Sequence, residues 1–210
     1  MIKNLLFIPI AVLLNYTAAA QKNVEKTIFD AHTFAVINLN ATNCFEVKVA
    51  THASKEIIIK AHEEGEYQNK LVITTHKQDQ NLKIGVVPSP FISLEDDKLA
   101  AHKVVSVSIE LVLPENLSIN IQGKEGAIFT TGKFRNIEET ADEANCFLED
   151  IEAENINIQT FNGDIHLFTN NGNVKAISKY GKVEKQNLPF DNEKYELKTV
   201  NGNIYVLKKE

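Results

Sequence analysis

Arginine is almost missing from this chain: Arg135 is the only one in 210 residues. Bidentate phosphate recognition depends on guanidinium forks, and nucleic-acid binding depends on clustered basic side chains. A chain with a formal net charge of −6 is poorly supplied for either, and a nucleic-acid partner is excluded. Tryptophan is absent and the one methionine is the initiator. The core therefore has to come from Ile, Val, Leu and Phe, a set that favours strands. Cysteine occurs twice, at Cys44 and Cys146, with no Cys-x-x-Cys pair. None of the histidines (His32, His52, His62, His76, His102 and His166) has a partner at the i, i+4 spacing of a zinc protease. No metal or cofactor is expected.

Long apolar runs are also lacking, except at the start. Lys3 is followed by the apolar stretch Leu5 to Leu14 and then by Ala18-Ala19-Ala20. An apolar segment of about ten residues is too short to span a membrane and suits the core of an export signal. The expectation is a signal peptide over 1–20, cleaved between Ala20 and Gln21, and an extracytoplasmic mature chain with no membrane span. No cysteine lies at that site to carry a lipid.

What is present is alternation. Phe45, Val47 and Val49 alternate with Glu46 and Lys48, and further apolar stretches at Ile57–Ile59, Leu71–Thr75 and Leu82–Val87 follow at strand-like spacing. Pro88 and Pro90 lack amide donors and interrupt the series. Ser93-Leu94-Glu95-Asp96 has the form of a capping box and marks the only helix candidate. Val105, Val107, Ile109, Leu111 and Leu113 then share one strand face up to Pro114.

The second half repeats a short phrase: Asn162-Gly163-Asp164-Ile165, Asn171-Gly172-Asn173-Val174, Tyr180-Gly181-Lys182-Val183 and Asn201-Gly202-Asn203-Ile204. With Asn145 at a glycine position, Gly126, Asn145, Gly163, Gly181 and Gly202 are separated by 19, 18, 18 and 21 residues. A hairpin series would also use Asn-Gly, but the near-constant interval favours a β-solenoid in which each turn buries its apolar face on the next. The expected architecture is all-β, with a β region over 21–116 continuous with a solenoid over 117–210 and at most one short helix. In this register Phe147 points inward beside Ile128, Ile165, Val183 and Ile204. Glu149 then points inward too, at a cost, and a shift by one residue would bury Leu148 instead. The acidic segment Glu138 to Asn145 reads as a loop bulging from the stack. The charges of Lys208, Lys209 and Glu210 read as protection for a final edge strand, Ile204 to Leu207.

Candidate chemistry is sparse. Glu149, Asp150, Glu152, Glu154 and Asp164 lack the glycine pattern of calcium-binding solenoids and read as a solvated acidic face. Adjacent carboxylates such as Asp96-Asp97 point to opposite faces of a strand, and no Gly-x-Ser-x-Gly elbow is present, so an enzyme is not expected. Cys44 and Cys146 sit in identical Asn-Cys-Phe tripeptides and, in an exported chain, either pair or remain as two thiols. Three residues beyond the glycine positions lie Phe129, His166, Glu184 and Tyr205, with Leu148 in the ambiguous rung. They form an outward column whose rings Phe129, His166 and Tyr205 are either a binding surface or ordinary cross-rung stacking.

The export signal ending in Ala20-Gln21, the alternating strands, Leu113-Pro114 and the Asn-Gly-x-Ile/Val rungs together resemble the bacterial adhesin-like DUF4097 and head-GIN-domain β-strand repeat families, abundant in Bacteroidetes. The segment Asp97 to Val104 is similar to a phrase from that group. The resemblance spans nearly the whole mature chain, and Asn43-Cys44-Phe45-Glu46 departs from it where the first Asn-Gly phrase is often found. It implies a right-handed β-helix-like fold, an extracytoplasmic location and no agreed catalytic residues. Three functions follow for testing: a non-catalytic adhesin-like scaffold with a glycan or envelope-protein partner, a carbohydrate-active enzyme on the same fold, or an envelope sensing or accessory protein. Monomer and homo-oligomer are both compatible with these readings.

Overall fold

The computed structural model describes residues 22–28, 31–64, 71–88, 106–189 and 192–209. The signal segment, the Ala20-Gln21 site and the helix candidate at Ser93–Asp96 lie outside the described residues. The described chain is all-β, with fifteen strands and one short 3₁₀ turn at Ala31–Thr33. The first eight strands are β1 (Lys22–Ile28), β2 (Val36–Asn40), β3 (Glu46–His52), β4 (Ile57–Glu64), β5 (Leu71–Gln78), β6 (Asn81–Pro88), β7 (Ser106–Pro114) and β8 (Ser118–Gln122). They are followed by β9 (Glu125–Ala141), β10 (Glu143–Thr160), β11 (Ile165–Phe168), β12 (Asn173–Ser178), β13 (Val183–Lys185), β14 (Lys194–Thr199) and β15 (Ile204–Leu207).

The strands form two rows. The first runs β1-β4-β7-β3-β9-β10-β11-β15-β13, and the second runs β5-β6-β2-β8-β9-β10-β14-β12. The long strands β9 and β10 belong to both rows, so each supplies a rung to both. Pairing is parallel except where β4 meets β1 and β7, and where β5 meets β6. Alternation explains the burial. In β7, Val107, Ile109, Leu111 and Leu113 are buried between outward Ser108, Glu110 and Val112. One apolar cluster unites the inward residues of both rows, from Ile37 and Val47 through Ile119 and Ile156 to Val206. Most of it is Ile, Leu and Val, and among the described residues Phe34 and Phe134 are its only phenylalanines.

Three sequence expectations change here. First, the rungs do not stack in chain order. β15 inserts between β11 and β13, and β14 inserts between β10 and β12. The final strand is therefore interior, β13 is the outermost strand of the first row at that end among the described residues, and Lys208 and Lys209 do not follow an edge strand. The phrase at Gly172 opens β12 in the second row, where Val174 pairs with Tyr195.

Second, the register near Asn145 is shifted by one. Ala144 pairs with Gly126, Cys146 with Ile128 and Ile165, and Phe147 with Phe129 and His166. Leu148 is fully buried and Glu149 is exposed. The odd residue is absorbed by a bulge between Glu149 and Ile151, where Asp150 has a φ of 53°. This register keeps Glu149 in water and buries Leu148, the cheaper choice on both counts.

Third, Glu138 to Asn145 is not a bulging loop. It continues as strand on both sides of a bend at Asp142, with Glu139, Ala141 and Ala144 inward.

Candidate functional site

The corners beside the first row are built by a motif longer than Asn-Gly. Thr160, Thr199 and Ser178 each lie three residues before Gly163, Gly202 and Gly181, and each hydroxyl oxygen accepts a hydrogen bond from that glycine amide. All three donate onward to the next rung: Thr160 Oγ1 to the Ala144 carbonyl at 3.4 Å, Thr199 Oγ1 to the Gly163 carbonyl at 3.2 Å and Ser178 Oγ to the Gly202 carbonyl at 2.7 Å. The residue after the glycine closes the ladder. Asn145 accepts from the Asp164 amide, Asp164 from the Asn203 amide and Asn203 from the Lys182 amide. A Cβ on Gly202 would lie 2.0 Å from the Gly163 carbonyl oxygen, so the corner needs glycine for close approach. The Thr/Ser three residues before the glycine was the legible signal for this ladder, and reading Asn-Gly alone passes over it.

These corners fix the register of the outward face. Row by row across the first layer, pairing aligns Lys48, Phe129, Phe147, His166, Tyr205 and Glu184. The predicted Phe129, His166 and Tyr205 are brought together, with Tyr205 rather than Glu184 next to His166. Phe147, expected inside, completes the column. The 18-residue step from Phe129 to Phe147 was the sequence clue. Centroids are 4.9 Å apart for Phe129–Phe147, 4.8 Å for Phe147–His166 and 4.8 Å for His166–Tyr205, with ring planes within 18° of parallel. The spacing is that of neighbouring strands, so the backbone sets it. The strip spans about 14 Å between its first and last centroids. All four rings are half-buried. Each interior ring has both faces covered by its neighbours, so the strip offers ring edges to solvent, and its ends adjoin Lys48 and Glu184. Flanking rings push the His166 pKa below its ordinary 6.5 by excluding water from the imidazolium, while Asp164 pulls the other way.

The other polar constellation lies inside. Glu139 occupies an inward column between Ile121 and Ile158 and is completely buried. Thr130 Oγ1, reaching from the opposite row, donates to its Oε1 at 2.6 Å, and Oε2 accepts no hydrogen bond. Burial raises the carboxyl to about 7, against the hydrogen bond from Thr130. The Cys146 thiol is pushed well up by burial and then by the adjacent carboxyl. A substrate cannot reach a cluster with no solvent-accessible surface, so these groups are structural.

The candidate disulfide does not form: Cys44 and Cys146 are both buried free thiols. The pairings of Phe45 beside Gly126 and of Gly126 with Ala144 place the two cysteines two strands apart and about three residues out of line. That offset amounts to more than about 10 Å, beyond the reach of a bond. Burial pushes Cys44 up to about 12.

No family model matches the chain, and no curated protein matches it. Among solved structures, it is similar to a putative cell adhesion protein from Clostridium sporogenes, at 13% identity and a TM-score of 0.60 over 90% of this chain and 100% of that one. A putative adhesin from Parabacteroides merdae aligns over 92% of this chain and 98% of its own, at 10% identity and a TM-score of 0.42. A putative lipid binding protein from Parabacteroides distasonis aligns over 89% and 97%, at 11% identity and a TM-score of 0.30. The Clostridium likeness shows a shared fold over essentially the whole of both chains.

Proposed function

We propose that this chain is an exported, non-catalytic, adhesin-like β-solenoid: a rigid scaffold that presents its outward strip to a partner in the cell envelope. The single observation that carries this reading is the four-ring column Phe129–Phe147–His166–Tyr205, held on one outward face by backbone pairing. Half-buried aromatic rings in a contiguous strip are the composition of contact surfaces. The fold shared with the Clostridium sporogenes protein supports the scaffold role. The apolar opening segment supports export, and among the described residues no helix is long and apolar enough to cross a membrane.

The geometry favours a protein partner over a glycan. Flat sugar faces stack on open aromatic faces, and here the interior faces are already taken by neighbouring rings. Ring edges carry partial positive charge and suit carbonyl oxygens and apolar side chains instead. The test compares the mature protein with its Phe129→Ser/Tyr205→Ser variant for binding to envelopes of the producing cell and to a glycan array. The expected result is binding to envelope protein that protease treatment removes and the double substitution weakens at least tenfold. Unchanged binding by a folded double variant would rule out the strip.

A further inference from the structure

Each end of the stack is closed by a lysine that crosses from the first row to the second. At one end, Lys26 on β1 sits in the inward register opposite Ile59, and its Nζ donates to Thr75 Oγ1 on β5. At the other, Lys185 on β13 is opposite buried Val206, and its Nζ donates to the Val174 carbonyl on β12. Among the described residues these four strands are the outermost of their rows. An inward lysine on an edge strand opposes addition of another strand, because docking would bury an ammonium group away from water.

The two ends would otherwise fit each other. β13 and β1 run in the same direction, through the parallel series from β13 to β7 and the two antiparallel steps through β4. A second copy placed end to end would thus continue the first row as a parallel strand. Setting Val183 opposite position 26 puts Lys182 opposite Glu25 and Glu184 opposite Thr27. Position 185 then meets Ile28. In this register Lys182 and Glu25 are complementary on the outward face, Glu184 meets the uncharged Thr27, and the inward residues are apolar apart from the two lysines. Val183 is 42% exposed and Ile177 is 47% exposed at the open end, so apolar surface is available there. We propose that Lys26 and Lys185 are the elements that hold this chain monomeric, and that the ends they guard are a latent head-to-tail interface for a second copy. Such a contact is heterologous and does not close, so its product is an open filament.

The experiment uses the mature protein with Lys26→Met, Lys185→Met and the double substitution, since Met keeps length and drops charge. Sedimentation velocity across a concentration series is expected to show monomers for the unsubstituted protein and for each single variant. The double variant should form a series of oligomers that lengthens with concentration, with association strengthened about tenfold or more. An equimolar mixture of the two single variants should give a 1:1 dimer that grows no further, because each remaining end still carries its lysine. Lys60→Met, on the interior strand β4, serves as the control and should remain monomeric. The proposal is overturned if the folded double variant stays monomeric, if the mixture does not dimerise, or if the unsubstituted protein or the control oligomerises alike. Variants that unfold instead would assign the lysines to folding and overturn it as well.

Discussion

Glu139 offers the sharpest test of the physical account. Its carboxyl titrates at about 7 in the folded chain, against an ordinary 4.5. Between those values the unfolded chain has released the proton and the folded chain still holds it. Stability therefore falls as pH rises through the window, is unaffected below about 4.5, and levels off above about 7. At about 1.4 kcal/mol per pKa unit, the ionised form costs roughly 3 kcal/mol at pH 8. Glu139→Gln keeps an acceptor for Thr130 and removes the titration. Glu139→Ile continues the column of Ile121 and Ile158 but leaves the Thr130 hydroxyl without its acceptor, a loss of about 1 kcal/mol. Urea denaturation of all three proteins at pH 4.5 and pH 8 should show the variants gaining about 3 kcal/mol on the unsubstituted protein between the two. At pH 8, Glu139→Ile should be more stable than the unsubstituted protein by about 2 kcal/mol. A difference between unsubstituted and variant proteins that does not change with pH would refute the claim that Glu139 is buried as a neutral acid.

Two further outcomes test the corners and the thiols. Gly202→Ala drives a Cβ to within 2.0 Å of a neighbouring rung's carbonyl oxygen and should cost more than about 3 kcal/mol in chemical denaturation, far above the roughly 1 kcal/mol of an ordinary glycine replacement. Cys44 and Cys146 should react with an aromatic disulfide reagent only on unfolding, and the melting midpoint should be the same with and without reductant. A reductant-dependent midpoint would show a bond.

Much of this protein is legible in its residues because the relevant physics is local. Period-two alternation in Val105 to Leu113 specifies a strand whichever partner it finds, and β7 buries Val107, Ile109, Leu111 and Leu113 as expected, Val105 lying outside the described residues. The glycine corners are likewise a matter of backbone space, and Gly163, Gly181 and Gly202 all stand at them. The ring strip was half legible. Counting from the glycines located Phe129, His166 and Tyr205 on one outward face but lost Phe147, because the extra residue is taken up at Asp150, five residues after the position it was assigned to.

Composition and alternation alone thus determined that this chain would be all-β, with an Ile/Val/Leu core and glycine corners. Strand order was decided only in three dimensions. An alternating strand is complementary to almost any other, so nothing local in Ile204 to Leu207 says that it enters between β11 and β13. Tertiary packing also put Glu139 inside, where Thr130 from the facing row supplies a donor that no neighbour in sequence could. The same packing separated Cys44 from Cys146 and set four rings in one column. Whether a side chain is buried, stacked or paired depends on the strand beside it and the layer opposite, and those contacts exist only once the chain has folded.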